Sequence, residues 1–104
     1  MEKIVEQGIL YDFYGELLTP HQKQIYEAMV YQNMSLGEIA ENIGISRQGV
    51  FDLLKRCDKI LLDYESRLHL IDKYENTKKI VQLIKSQTDQ DNIKKLADQI
   101  LEES

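Results

Sequence analysis

Residues 36–55 read LGEIAENIGISRQGVFDLLK, and this stretch predicts two short helices joined by a tight turn. Ala40 is small at the position where two such helices cross closely, and Gly44 follows four residues later, where a left-handed turn favours glycine. Val50 on the second helix has the spacing that packs it back against Ile39. Small, turn-forming and branched residues at these offsets are typical of a helix-turn-helix.

Capping signals and apolar stripes outside this motif predict further helices. Thr19 and Ser35 each stand three residues before a Gln or Glu, the pattern of a capping box, and Ser46 has the position of a cap for the second helix of the motif. A helix over 20–32 supplies the third member of a tri-helical core, and residues 3–18 carry another helical stripe. The sequence therefore predicts an all-α protein built on a tri-helical helix-turn-helix core.

The second helix of the motif is predicted to be long, because no Gly or Pro follows Gly49 and the apolar spacing continues to about Tyr74. We expect a helix-turn-helix domain with an extended recognition helix at 1–75, followed by a helical C-terminal extension at 76–104. Its apolar seam predicts a homodimer interface, although the helix at 3–18 and the C-terminal helices are alternative partners within one chain. The seam consists of Val50, Leu54, Cys57, Leu61, Tyr64, Leu68 and Ile71.

Composition excludes several classes of protein. The chain has 104 residues, of which 42% are hydrophobic and 30% charged, which is typical of an ordinary globular domain and not of a disordered chain. Its single cysteine, Cys57, excludes an internal disulfide framework and a multi-thiolate zinc site. The first residues lack the pattern of a signal peptide, and no apolar run is long enough to span a bilayer. We therefore expect a cytoplasmic protein without membrane insertion.

Charge is distributed unevenly along the chain. The net charge is −5, and residues 44–56 form the one window that is net positive, at +2. Because phosphate binding requires clustered Lys and Arg, such a chain is expected to bind nucleic acid only weakly through non-specific contacts.

Five polar residues of the second motif helix are the candidate nucleic-acid contacts. The N-terminal residues of such a helix face the DNA groove, so Ser46, Arg47 and Gln48 are predicted to lie there. Arg and Gln can each form two hydrogen bonds to a purine edge, while Lys55 and Arg56 are predicted to contact the backbone. The alternative is that the motif is a packing unit that touches no nucleic acid.

The sequence predicts no catalytic residue, metal site or cofactor. His21 and His69 are far apart in the chain, and no His or acidic residue lies at helical spacing from Cys57 to activate it as a nucleophile. Neither a glycine-rich phosphate loop nor a pair of catalytic carboxylates is present. We therefore expect a protein that is not an enzyme.

Two families resemble this sequence. The opening LTP…Q and the run SLGEIAENIGISRQGV resemble region 4 of bacterial sigma factors. The longer run SRQGVFDLLKRCDKILLDYESRLHL is similar to the YlxM family of small bacterial proteins, and this resemblance extends from LYDFYGELLTPHQ to Tyr74. The resemblance to the YlxM family implies a regulatory helix-turn-helix protein. The genes of that family typically neighbour those of the signal recognition particle GTPases, which implies a role in that targeting pathway.

Two functions follow as expectations. The first is a regulatory protein whose helix-turn-helix binds DNA rather than RNA. The second is an adaptor that engages the signal recognition particle GTPase, or its RNA complex, without sequence-specific DNA binding.

Overall fold

The computed structural model describes residues 2–103, which form six α-helices and no strand. The expected all-α fold is therefore confirmed. A 3-10 turn at Gly15–Leu17 separates the first two helices. The helices are α1 (Lys3–Tyr14), α2 (Pro20–Val30), α3 (Leu36–Ile43), α4 (Arg47–Leu68), α5 (Leu70–Ser86) and α6 (Asp91–Glu102).

Both predicted capping boxes are confirmed. The Thr19 hydroxyl accepts a hydrogen bond from the Gln22 backbone N–H at 3.2 Å, and the Gln22 side chain accepts one from the Thr19 N–H at 3.0 Å. Ser35 and Glu38 form the same reciprocal pair at 3.2 and 3.1 Å. Each box satisfies two backbone donors that the first turn of a helix leaves unpaired, which sets where α2 and α3 begin.

Helix α4 forms the centre of the N-terminal unit, because α1, α2 and α3 all pack against it. The chain divides into two compact units between Leu68 and His69. The most deeply buried large side chains of the N-terminal unit come from all four helices, and they are Tyr14, Ile25, Tyr26, Ile39, Val50, Cys57 and Leu61.

A polar network lies beside this core. The Asp58 carboxylate accepts hydrogen bonds from the Tyr26 hydroxyl at 2.6 Å and from the Gln7 amide at 3.0 Å. Tyr26 is fully buried and Gln7 is nearly so. Because buried polar groups are costly unless paired, these bonds fix the arrangement of α1 and α2 on α4.

The seam along α4 is largely covered within the chain. Val50, Leu54, Cys57 and Leu61 are each no more than 5% exposed. A second chain cannot reach them, so the intrachain alternative holds for this part of the seam. The remaining members of the seam are in three different settings. Tyr64 on α4 stacks on Tyr14, Leu68 is exposed at the end of α4, and Ile71 belongs to α5.

The expected continuation of this helix to about Tyr74 is wrong. Helix α4 ends at Leu68, and His69 has φ 55° and ψ 31°, in the left-handed region. Its ring nitrogen Nδ1 lies 3.6 Å from the Asp72 carboxylate in the first turn of α5. A left-handed conformation costs a residue with a Cβ about 1–2 kcal/mol, so a helix is expected to break in this way at a glycine. A histidine at the break gives no such signal in the sequence. The break therefore falls earlier than the predicted domain boundary at 75/76.

The C-terminal unit is an antiparallel hairpin of α5 and α6, joined by residues 87–90. Val81 and Ala97 are buried between the two helices. Lys85 donates a hydrogen bond to Asp98 at 2.9 Å across the pair.

Candidate nucleic-acid interface

The turn between α3 and α4 has the geometry of a helix-turn-helix. Gly44 ends α3 with φ 73° and ψ 33°, the left-handed conformation that glycine adopts without strain. Two residues later, the Ser46 hydroxyl accepts a hydrogen bond from the Gly49 backbone N–H at 3.0 Å and caps α4. Ala40 is buried where α3 approaches α4, as the sequence predicts.

Arg47 is exposed, and its side chain lies over the first turn of α3. A Cβ on Gly37 would lie only 3.1 Å from Nε and Nη2 of Arg47, so the absence of a side chain at Gly37 leaves the space that the guanidinium occupies. The guanidinium is consequently close to the motif's first helix, while its other donors remain accessible to solvent.

Gln48 is paired along α4. Its amide nitrogen donates a hydrogen bond to Asp52, one turn further on, at 3.0 Å, and both residues are exposed. The bond orients the amide, and the Asp52 carboxylate adds a negative charge to the face of α4 that carries the candidate contacts.

A basic surface continues along α4. Lys55, Arg56 and Lys59 line an open groove of about 530 Å³ together with Asp52. Lys55 also lies over the exposed Phe51 ring, with Nζ 5.3 Å from the ring centroid. We call Lys55, Arg56 and Lys59 the basic stripe.

Sequence reasoning missed Lys59 as a member of this site. Its position four residues after Lys55 was the available signal, because residues at that spacing share one face of a helix. The other predicted contacts occupy two neighbouring parts of α4, since Ser46, Arg47 and Gln48 lie at its N-terminus and Lys55 and Arg56 lie two turns further on.

A second, larger groove runs between α1 and α4, with a volume of about 820 Å³. Leu10, Ile60 and Leu62 line it together with charged and polar residues, among them Asp58 and Gln7 of the polar network. Lys55 and Lys59 border this groove as well, so the basic stripe lies at its edge.

Cys57 and Glu38 are among the titratable groups of this unit whose pKa values are shifted, and the structure shows the cause in each case. Burial, with a further contribution from Asp58, raises the pKa of the Cys57 thiol to about 11, and the side chain packs as a small apolar residue. The hydrogen bonds from Ser35 lower the pKa of the exposed Glu38 carboxyl, because they favour its charged form.

Two helices, a left-handed glycine turn and an exposed polar end of the second helix define a helix-turn-helix protein. The family model described as "Putative helix-turn-helix protein, YlxM / p13 like" matches residues 1–100. The chain belongs to this family, UPF0122.

Relatives of known sequence match most of the chain. A UPF0122 protein of Clostridium novyi is 44% identical over 84 residues, covering 81% of this chain and 73% of the relative. One of Oceanobacillus iheyensis is 41% identical over 88 residues, covering 85% and 84%. One of Geobacillus kaustophilus is 44% identical over 86 residues, covering 82% and 77%.

Within residues 2–103, none of the helices combines the length and apolar content that crossing a bilayer requires.

Proposed function

We propose that this chain is a non-enzymatic, cytoplasmic regulatory protein that binds double-stranded DNA through α4. In this proposal Arg47 and Gln48 contact base edges from the N-terminal turn, while Ser46 and the basic stripe contact phosphates. The observation that carries it is that the exposed side of α4 presents two side chains capable of bidentate hydrogen bonding and three cations.

The charge of the chain limits this binding. With a net charge of −5, the protein repels nucleic acid at a distance, and affinity depends on the local cations of α4. Three phosphate contacts predict that log K falls with log salt at a slope of about −3. Binding is therefore expected to be weak at physiological salt unless the duplex carries a cognate sequence.

Fluorescence anisotropy against a labelled duplex at several salt concentrations tests the proposal. Replacing Lys55, Arg56 and Lys59 together by Ala is expected to remove most of the dependence of log K on log salt. The matched control removes three exposed lysines from the C-terminal unit, Lys78, Lys79 and Lys95, at the same change in net charge. Equal losses in the two triple variants would contradict the proposed phosphate contacts.

The base contacts are tested separately. Arg47→Ala is expected to cost about 1–3 kcal/mol of binding free energy for a cognate duplex, with unchanged circular dichroism because Arg47 is exposed. Affinity that is unchanged in a combined Arg47→Ala and Lys55→Ala variant would overturn groove docking.

A second candidate is the adaptor function that the YlxM resemblance implies, in which the chain engages the signal recognition particle GTPase or its RNA. The open groove between α1 and α4, where Leu10, Ile60 and Leu62 lie among charged side chains, and the acidic net charge favour a protein partner. Parallel titrations with duplex DNA, particle RNA and the GTPase distinguish the candidates. Saturable binding to the GTPase without binding to either nucleic acid would favour the adaptor.

The acting unit in this proposal is a homodimer. A two-fold pair of recognition helices reads two half-sites about one helical turn apart, which compensates for few phosphate contacts in each chain.

A further inference from the structure

The hairpin of α5 and α6 exposes large apolar side chains on one side. Ile80 and Leu83 are each 58% exposed, Leu96 is 60% exposed and Ile100 is 47% exposed. We call these four residues the hairpin face. On a soluble surface, apolar side chains grouped in this way mark a site of interaction.

Helix geometry puts the four residues on the same side. Ile80 precedes the buried Val81 by one residue, and Leu96 precedes the buried Ala97 by one residue, so each is turned by about 100° from the contact between the helices. Because α5 and α6 are antiparallel, equal turns bring both side chains to one face of the hairpin. Leu83 lies three residues after Ile80, and Ile100 lies four residues after Leu96, so each extends the same face of its helix.

We propose that a second copy of this chain packs on the hairpin face and forms an antiparallel four-helix bundle. This inference identifies the surface of the homodimer proposed above, and it does not depend on nucleic-acid binding. It differs from the seam expected from the sequence, whose central residues are buried within one chain.

The small size of the hairpin supports a second copy as its partner. Two helices with Val81 and Ala97 between them enclose little apolar volume, whereas two such hairpins face to face enclose eight further side chains. Four antiparallel helices around a shared core form one of the common all-α architectures. A two-fold axis makes the same face serve both partners.

The charges favour one arrangement of the two copies. Helix α5 carries four lysines and two acidic residues, whereas α6 carries two lysines and three acidic residues. A two-fold axis parallel to the helices sets α5 of one copy over α6 of the other, which pairs the positive helix with the negative one. An axis across the helices would instead set α5 over α5 and pair like charges.

Few charged residues lie next to the hairpin face. Among described residues three or four positions from the face, those that carry charge are Lys79 on α5 and Glu103, which directly follows α6. The other flanking positions include the uncharged Asn76, Gln87, Asn92 and Gln99. A charge-poor apolar centre with a polar rim is the anatomy of a protein interface.

The size of the face predicts weak association. The overlap of α5 with the 12 residues of α6 gives a face of roughly 20 by 20 Å, or about 400 Å² in each copy. Stable interfaces bury about 800 Å² in each partner, and smaller ones are typical of transient complexes. The dimer is therefore expected to dissociate on dilution through the micromolar range.

Sedimentation velocity of the full chain tests the proposal from low to high micromolar concentration. The mass is expected to rise from 12.2 kDa toward twice that value. Leu83→Glu and Leu96→Glu are each expected to weaken association by at least about tenfold while far-UV circular dichroism is unchanged. Gln82→Glu makes the matched control, because Gln82 is exposed on α5 outside the hairpin face and gains the same charge.

A mixing experiment tests the arrangement. Leu83→Glu and Leu96→Lys chains, each monomeric alone, are expected to associate when mixed, because α5 of one copy faces α6 of the other and Glu meets Lys. Failure to associate in the mixture would overturn the pairing of α5 with α6.

Other outcomes would contradict the proposal that the hairpin face is a dimer interface. A wild-type chain that remains at 12.2 kDa at high micromolar concentration excludes the dimer. A dimer that survives both glutamate variants, or that Leu68→Glu on α4 abolishes instead, excludes the hairpin face. Lost helicity in both variants without any wild-type dimer would mean that the face is covered within the chain. Duplex binding on the same samples is read separately, so failure of the nucleic-acid proposal leaves this result interpretable.

Discussion

The side-chain amide of Gln48 donates a hydrogen bond to the carboxylate of Asp52 at 3.0 Å, one turn further along α4. This bond joins the polar N-terminal turn of the helix to the groove lined by the basic stripe, because Asp52 also lines that groove. The Asp52 carboxylate therefore orients the Gln48 amide, which is a candidate base contact. Its negative charge would also repel the phosphates that the basic stripe attracts.

Asp52→Asn is expected to strengthen duplex binding by about threefold to tenfold at low salt. The change removes a negative charge roughly 7 Å from the expected phosphates, which is worth about 0.6 kcal/mol per phosphate at the dielectric of water. Asparagine keeps an oxygen that accepts the Gln48 hydrogen bond. Anisotropy measures the effect, and Glu75→Gln on α5 controls for net charge. Weaker binding than wild type would show that the carboxylate itself contributes to the interface.

Gly37→Ala is expected to stabilise the fold slightly and weaken specific binding. Alanine favours the helix over glycine by about 0.5–1 kcal/mol, but its Cβ would lie 3.1 Å from the Arg47 guanidinium and displace that flexible group. Thermal melting and anisotropy measure the two effects. In an Arg47→Ala background, Gly37→Ala should cause no further loss of affinity, and a double-mutant cycle measures this coupling. A lower melting temperature would mean that Arg47 cannot move away.

Gly44→Val is expected to destabilise the helix-turn-helix by about 1–2 kcal/mol, a melting shift of about 5 °C or more. The cause is the backbone alone, because no atom lies within 4 Å of a Cβ built at Gly44 while φ is 73°. Gly44→Asn is the matched control, since Asn tolerates the left-handed region. Equal effects of Val and Asn would contradict a backbone origin.

The turns of the motif were predictable because they depend on local chemistry. Thr19 and Ser35 form capping boxes with side chains three residues away, and Gly44 is left-handed, each within a few residues of chain. The candidate contacts Ser46, Arg47 and Gln48 follow from that turn, because the residues after it begin α4. Local signals of this kind need no knowledge of tertiary packing.

The remaining features depend on packing between distant residues. The 4-3 spacing of the seam predicts an apolar stripe but not its partner, and the structure covers Val50 to Leu61 with helices of the same chain. His69 interrupts the helix without a Gly or Pro, so periodicity continues through the break. The Asp58 network joins side chains 32 and 51 residues apart, a separation that sequence spacing does not reveal.

Cys57 is expected to be unreactive toward thiol reagents in the folded protein. It is 1% exposed, and burial raises the pKa of its thiol to about 11, so thiolate is scarce near neutral pH. Alkylation should follow global unfolding as denaturant is added. Fast alkylation of the native chain, at the rate of a model thiol, would show that α4 opens locally.

Alkaline pH is expected to unfold the protein through its tyrosines. Burial, followed by the hydrogen bond to Asp58, raises the pKa of Tyr26 above its ordinary value of 10.0. A hydrogen bond to Asp12 and burial raise the pKa of Tyr31 to about 12, and burial beside Glu27 raises that of Tyr11 to about 12. Since the folded-state pKa exceeds the unfolded one, this stability is fully present below pH 10 and is lost as the pH rises through the folded values.

Thermal melting above pH 10, combined with tyrosinate absorbance, measures this loss. Tyr26→Phe is expected to lower stability near neutral pH by about 1–3 kcal/mol, because Asp58 loses a partially buried donor, and to reduce the alkaline dependence. Tyr31→Phe is the matched control, because Tyr31 is 55% exposed and its loss should cost far less near neutral pH. If all six tyrosines ionised near pH 10 while the helices remained folded, the Tyr26–Asp58 bond would not hold the phenol neutral.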